Sequence, residues 1–297
     1  MEYIVQTQQL TKQYGQRIAA DRVSMHIAKG DIYGFIGKNG AGKTTPMKMI
    51  LGTCFPTSGS IELFGKPADA AARTRIGSLI EDPGLYRHCT AYENMRRFAL
   101  LWGVDFKEID PLLQLVQLAD TGKKKVREFS LGMRQRLGIA LALLGNPELL
   151  VLDEPVNGLD PAAIKLVRDV ILQINRERGV TVLISSHLLG ELSRLATRYG
   201  IIHMGQLVEE VSAEELEERC TRTLDIRCRN VEIAQRTLAE RFGITDCTVQ
   251  GDLLRLRQWQ AETDQINQAL VEAGAGVCDL HVSAADMEDY FIERIGQ

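Results

Sequence analysis

A chain of 297 residues and 33.1 kDa has room for one large domain and one small one, each with its own core. Apolar residues make up 45% and charged residues 25%, the balance of a soluble globular protein. The longest apolar runs, such as Leu137–Gly145, fall short of the roughly 20 residues that cross a bilayer. The net charge of −4 is uneven: residues 211–297 carry 17 Asp and Glu against 9 Arg and no Lys, a net of −8 that leaves +4 on residues 1–210. An acidic C-terminal part speaks against nucleic acid as a partner.

No secretory leader is expected, because MEYIVQTQQLTKQYG is polar and alternating. Cys54, Cys89, Cys220, Cys228, Cys247 and Cys278 are scattered without a C-x-x-C pair, and read as reduced thiols. In chain order, EYIVQTQQL and RVSMHIAKG alternate as strands do, and DIYGFIG is a short apolar strand ended by glycine. A helix is expected after the glycine loop that follows, then strands at GSIELFG and RIGSLI. From about 85 to 145 the pattern turns helical: AYENMRRFALLWG, KEIDPLLQLVQLAD and SLGMRQRLGIALALL. PELLVLDEP and VTVLISSH read as buried strands, with a helix over PAAIKLVRDVILQINRERG between them. Strands alternating with helices predict an α/β domain over 1–210 with a mainly parallel sheet, N-terminal antiparallel strands and an inserted helical subdomain over about 85–145.

Past Ser212 the pattern changes. Strands are expected at Thr223–Arg229, CTVQ, LLRLR and Val277–Val282, and helices at Val231–Phe242, Ala261–Ala273 and Ala285–Ile295. The order β-α-β-β-α-β predicts a small ferredoxin-like α+β domain over 211–297. It holds no chemical constellation; His281 and the cysteines there read as packing residues.

Gly37-Lys38-Asn39-Gly40-Ala41-Gly42-Lys43-Thr44 matches G-x-x-x-x-G-K-[ST] between a strand and a helix. Glycines let the backbone turn its N–H groups onto phosphate oxygens, and the helix start adds free N–H groups and its positive dipole end. Lys43 is placed to reach the β- and γ-phosphates, Thr44 to ligate Mg²⁺, and Thr45 lies in the same first turn. A P-loop ATPase also needs a carboxylate for the metal and a group that orients water. The strand Leu149–Leu152 ends in Asp153 and Glu154, which predicts Asp153 on Mg²⁺ and Glu154 as general base.

With these motifs in order, residues 2–210 resemble the ATP-binding subunit of an ABC transporter. Tyr14, in LTKQYG, matches the aromatic that stacks on adenine in that family, and His187, in ISSH, the switch histidine that contacts the γ-phosphate. FSLGMRQR matches the signature motif, and NGLD, with Asp160, the loop that crosses to a second subunit. The resemblance implies a head-to-tail dimer, homodimeric or pseudo-symmetric, in which Ser130 and Gly132 of one copy bind the ATP held by the other. It also implies a P-loop NTPase fold, ATP hydrolysis, and a separately encoded integral membrane permease that docks on the helical subdomain. The subunit would then sit at the cytoplasmic face of a bacterial membrane as a peripheral protein.

One departure narrows the resemblance. The family glutamine that touches Mg²⁺ is absent; in SLIEDPGLY the aligned residue is Glu81, whose oxygen can still ligate the metal but whose charge opposes triphosphate binding. That stretch, Leu131 and Met133 in the signature, and the ending ADMEDYFIERIG resemble the subgroup linked to bacitracin resistance and lantibiotic immunity or export. A soluble ABC ATPase acting on ribosomes or DNA is the alternative. The chain carries one cassette, and only about 85 residues separate Thr44 from Ser130, too few for a long inserted coiled coil. A second departure is Pro46. With the helix opening at about Gly42, it removes one bond to the Gly42 carbonyl, at a cost below the ~3 kcal/mol of a mid-helix proline.

Overall fold

The structure, a computed structural model, describes residues 2–219, 223–256, 259, 261–283, 290–292 and 294. The helix expected at Ala285–Ile295 lies largely outside them, as do Cys220 and Arg257. The chain divides into two compact units, Met1–Ala213 and Glu214–Gln297.

The first unit opens with β1 (Tyr3–Tyr14), β2 (Arg17–Val23), β3 (His26–Ala28), β4 (Ile32–Ile36), α1 (Thr44–Ile50), β5 (Ser58–Leu63), β6 (Lys66–Pro67), α2 (Ala70–Arg73) and β7 (Ile76–Leu79). It continues with α3 (Ala91–Trp102), α4 (Ile109–Leu115), α5 (Leu131–Ala142), β8 (Leu149–Asp153), α6 (Pro161–Arg178), β9 (Thr181–Ser186), α7 (Leu189–Leu192), β10 (Arg198–His203) and β11 (Gln206–Ser212). The central sheet has the order β11-β10-β4-β9-β8-β7, parallel throughout except for the edge strand β11. Every residue of β4, β8 and β9 is buried, as expected of parallel strands covered on both faces. Tyr33, Phe35, Leu149, Val151 and Leu183 on one face pack with Met47, Met49 and Ile50 of α1 and with the N-terminal antiparallel sheet, β2-β1-β5-β6 with β3 on β1.

Two expectations are corrected here. RVSMHIAKG is not one strand: the buried Thr7 hydroxyl donates to the Val23 carbonyl and accepts the Met25 N–H, both at 2.9 Å, and the break between β2 and β3 falls there. Strands β10 and β11 add an antiparallel pair beyond the expected elements. The P-loop helix begins at Thr44 and not at Gly42, because Pro46 has no N–H with which to close a turn onto the Gly42 carbonyl. Pro46 is therefore the third residue of α1, where an N–H has no helical partner in any case.

Helix α8 (Ala213–Arg219) starts on the last residue of the first unit. The second unit contains β12 (Thr223–Cys228), α9 (Val231–Phe242), β13 (Cys247–Gln250), β14 (Leu253–Leu256), α10 (Thr263–Glu272) and β15 (Val277–Ser283). The sheet order β13-β14-β12-β15, antiparallel throughout, is that of a ferredoxin-like unit. Leu224, Ile226, Leu254 and Leu256 pack against Ala234, Leu238, Ile266 and Leu270 of the two helices. On the strand position opposite Arg255, the buried Asp225 accepts two hydrogen bonds from that guanidinium, each 2.9 Å. His281 and Cys278, expected to pack, are instead exposed on the edge strand β15, with His281 Nδ1 3.1 Å from Asp279. Among the described residues, no helix is long and apolar enough to cross a membrane.

Candidate functional site

Strands β8, β9 and β4 lie side by side, and their C-terminal ends deliver the site. The register pairs Ile36 with Ser186 and Asp153 with Ser185, so the loop after β4, the carboxylates after β8 and the histidine after β9 emerge at one edge. Ligands of open parallel sheets bind at such an edge.

The loop is shaped by two glycines. Gly40 (φ +80°) and Gly42 (φ +104°) adopt left-handed angles, and a Cβ on Gly42 would fall 2.6 Å from the Ala19 carbonyl oxygen. The Ala41 N–H closes the turn onto the Lys38 carbonyl at 3.0 Å. Among the described residues, the N–H groups of Asn39, Gly40 and Gly42 donate to no protein acceptor, which leaves them for an anion. The Gly37 N–H lies 3.4 Å from the Ser186 carbonyl, and Lys38, Asn39 and Gly40 are exposed.

Lys43 is 5% exposed, and its ammonium group donates to the carbonyls of Gly37 (2.6 Å) and Lys38 (3.3 Å). It also lies 3.0 Å from Glu154 Oε1, an ion contact whose angles miss hydrogen-bond geometry, so that buried oxygen retains free acceptor capacity. A buried ammonium among carbonyls and one carboxylate is a ready counter-charge for phosphate. Thr44 Oγ1 donates to Asp153 Oδ2 at 2.7 Å, and Ser185 Oγ donates to Oδ1 at 2.5 Å. Glu154 holds a left-handed φ of +49°, its N–H bonded to Ser185 Oγ (2.9 Å) and its Oε2 2.8 Å from His187 Nδ1. An ionised carboxylate only accepts, so this contact fixes the proton on Nδ1.

The loop, the buried lysine, the hydroxyl–carboxylate pair and the glutamate–histidine pair thus occupy one edge of the sheet. A family model described as ABC transporter matches residues 20–157. The bacitracin transport ATP-binding protein BcrA of Enterococcus faecalis is 40% identical over 300 residues, spanning 100% of this chain and 97% of that protein. The chain belongs to the ABC transporter ATP-binding proteins. The lantibiotic transport ATP-binding protein SrtF of Streptococcus pyogenes is 44% identical over 218 residues, 72% of this chain and 95% of its own. A subunit of the ABC transporter complex cbiONQ from Clostridium perfringens has the same fold, with a TM-score of 0.67 at 23% identity over 81% of this chain and 96% of that one. This protein is accordingly an ABC ATPase, and ATP is its substrate.

The residues fit Mg²⁺ as well as ATP. Thr44 and Asp153 place two hard oxygen donors within 2.7 Å of each other, and Mg²⁺ favours one or two protein oxygens beside substrate phosphates over an all-protein cage. Glu81 sits elsewhere in the contact network: 68% exposed, with φ +60°, its carboxylate accepts from Lys48 Nζ of α1 at 2.6 Å. Lys48 thus supplies a positive charge directly beside the Glu81 carboxylate.

Tyr14 of the ABC ATPase is 53% exposed at the end of β1. Its hydroxyl lies 3.1 Å from Cys54 Sγ, and Lys12 Nζ stands 4.9 Å from its ring centroid while donating to the Phe55 carbonyl at 2.7 Å. The Cys54 hydrogen bond first, then burial and the Cys54 charge, push the phenol pKa above its usual value. Neither Cys54 nor Lys12 was singled out by the sequence.

Ser130 and Asp160 cap helices. Ser130 Oγ accepts the Met133 N–H at 3.2 Å at the start of α5, and Asp160 Oδ1 the Ala163 N–H at 2.9 Å at the start of α6. Both residues are exposed, as is Leu131. Gly132 is buried where the two helices meet: a Cβ there would come within 2.8 Å of Ala163 Cβ.

Proposed function

We propose that this ABC ATPase powers export of a peptide antibiotic or similar amphiphile through a separately encoded membrane permease. It would act as a dimer at the cytoplasmic face of a bacterial membrane. The observation that carries this reading is the likeness to a bacitracin transport ATP-binding protein over the full chain, including the second unit. Support also comes from the exposed apolar end of α3, where Leu100 (64%), Leu101 (74%) and Trp102 (51%) offer a surface for a membrane partner's helix.

In this reading Lys43 and the loop N–H groups hold the β- and γ-phosphates, and Tyr14 stacks on adenine. Thr44 and Asp153 hold Mg²⁺, with Glu81 as a further oxygen donor. Bound Mg²⁺ neutralises charge on the phosphate oxygens. Glu154 accepts the proton of the attacking water, and His187 holds that carboxylate in place through Nδ1. Ser130 and Gly132 of a second copy complete the site, and Asp160 borders the same dimer face. Closure by two ATP molecules and reopening on hydrolysis then drive the permease between conformations.

The test is functional coupling. The chain is co-expressed with a candidate membrane permease in a bacitracin-sensitive bacterium, and tolerance is measured for wild type and Glu154→Gln. A gain of resistance that Glu154→Gln abolishes supports the proposal. A chain that neither co-purifies with that membrane protein nor shifts tolerance to any cell-wall-directed peptide sinks it.

A further inference from the structure

We propose that Ser185 is a positioning residue for ATP hydrolysis, aligning the metal-binding Asp153 and the base Glu154 through a single buried hydroxyl. The inference rests on the roles assigned above to those two carboxylates. Ser185 lies on β9 directly opposite Asp153 of β8, and its side chain is fully buried.

Its hydrogen bonds have no freedom of direction. The Glu154 N–H can only donate, so Ser185 Oγ must accept there, at 2.9 Å. The one hydroxyl proton is then committed to Asp153 Oδ1, at 2.5 Å. Asp153 receives Thr44 on its other oxygen, so its plane is set from two sides, and Oδ2 is shared with the residue proposed as its fellow metal ligand. Glu154 needs a holder of another kind. Its backbone sits at φ +49°, a region that non-glycine residues leave unless something retains them. The Ser185 bond to its N–H retains it, and in that conformation its two carboxylate oxygens lie 3.0 Å from Lys43 Nζ and 2.8 Å from His187 Nδ1. Removing the hydroxyl would leave a largely buried N–H without its partner and free the backbone to relax, turning the base away from both contacts. The next residue repeats the device: Ser186 Oγ accepts the Leu188 N–H at 2.9 Å and fixes the turn that carries His187.

The test compares Ser185→Ala, Ser185→Thr and Glu154→Gln in the full chain. Turnover is measured against ATP and Mg²⁺, and binding of a fluorescent ATP analogue with and without Mg²⁺. Melting temperature provides the correction to folded protein. Outer-sphere partners of metal sites are worth about tenfold to a hundredfold, and that loss is expected in kcat for Ser185→Ala with KM for ATP within about twofold. The Mg²⁺ requirement for tight analogue binding should rise several-fold, while binding without Mg²⁺ stays unchanged. Ser185→Thr, which keeps the hydroxyl, should recover most of both. The inference is overturned if Ser185→Ala matches wild type in kcat and Mg²⁺ dependence while Glu154→Gln is inactive. It is equally overturned if the loss in Ser185→Ala vanishes once turnover is expressed per folded molecule. Undiminished turnover in Glu154→Gln would instead remove the assignment of the base on which the inference stands.

Discussion

The ATPase unit contains two helix starts suited to phosphate, and their side chains are used differently. At α1 the polar groups reach across the sheet: Lys43 to Glu154, Thr44 to Asp153, the Asp153 carboxylate and the Glu154 N–H to Ser185, and Glu154 to His187. At α5 the Ser130 hydroxyl turns back onto its own helix, 3.2 Å from the Met133 N–H. The first start gathers the lysine, the hydroxyl and the carboxylates proposed above to hold the triphosphate and activate water. The second carries no base and no buried cation of its own, only an exposed, capped helix end. In the proposed reading the contrast teaches that nucleotide binding and the base share one surface, while the second surface acts only through a partner copy. Mutations at the first should remove chemistry directly; mutations at the second should leave ATP binding intact and act through the proposed partner copy.

The largest expected effect is at Glu154. Glu154→Gln keeps the shape but cannot take a proton, and general bases contribute about 10²- to 10⁴-fold. ATPase rates should fall by that range while analogue binding persists, and gel filtration with ATP should show accumulated dimer. Binding lost together with turnover would show that Glu154 holds the nucleotide and is not only its base.

Next comes Ser130→Asp. Aspartate caps a helix as well as serine does, so the melting temperature should hold, but its charge repels a phosphate brought to α5 by a partner. Turnover should fall at least about tenfold with ATP affinity in the monomer unchanged. Unaltered turnover would mean that α5 never meets a nucleotide.

A smaller effect is expected at the Lys48–Glu81 pair, where both groups are substantially exposed. Exposed pairs are worth about 0–1 kcal/mol, so Lys48→Met should weaken Mg-ATP binding by no more than about fivefold. In a Glu81→Gln background it should do nothing further, and additivity of the two changes would show that Lys48 does not answer the charge of Glu81.

Smallest is an acid effect. Glu93 closes the capping box of α3; the Thr90 N–H first, then Lys125, hold its pKa below the ordinary 4.5. Its contribution is therefore present above pH 4.5 and lost as pH falls through the lower folded value. Glu93→Gln preserves the box without titrating, so melting temperature should decline slightly less steeply below that pH.

Much of this was written in the sequence, for identifiable reasons. The loop 37–44 and the pair Asp153-Glu154 are local strings whose chemistry depends on spacing, so they could be read directly. Ser185 is a single polar residue in a buried strand; its meaning depends on the register that sets it opposite Asp153, and register belongs to the paired strands β8 and β9 together. Lys48 and Glu81 are 33 positions apart, and Tyr14 and Cys54 are 40, so neither pairing has a periodic signature. The hairpin β10–β11 was missed because its turn is Met204-Gly205, with φ of +46° and +83°, where Asn-Gly is the usual signal. The helix starts at Thr44 because the absent N–H of Pro46 sets a boundary and does not merely remove a bond.

The hydrogen bond between Thr44 and Asp153 closes a stretch of 109 residues. Contacts of that sequence separation form late, once the entropy of the intervening loop has been overcome. The Thr44–Asp153 pair therefore exists only where α1 and β8 have come together, so ATP favours the folded unit over the unfolded chain. A ligand at a hundred times its dissociation constant adds about 2.7 kcal/mol to the state it selects. For this ATPase the cell's own fuel is then also a folding ligand, drawing the chain toward the one conformation able to consume it.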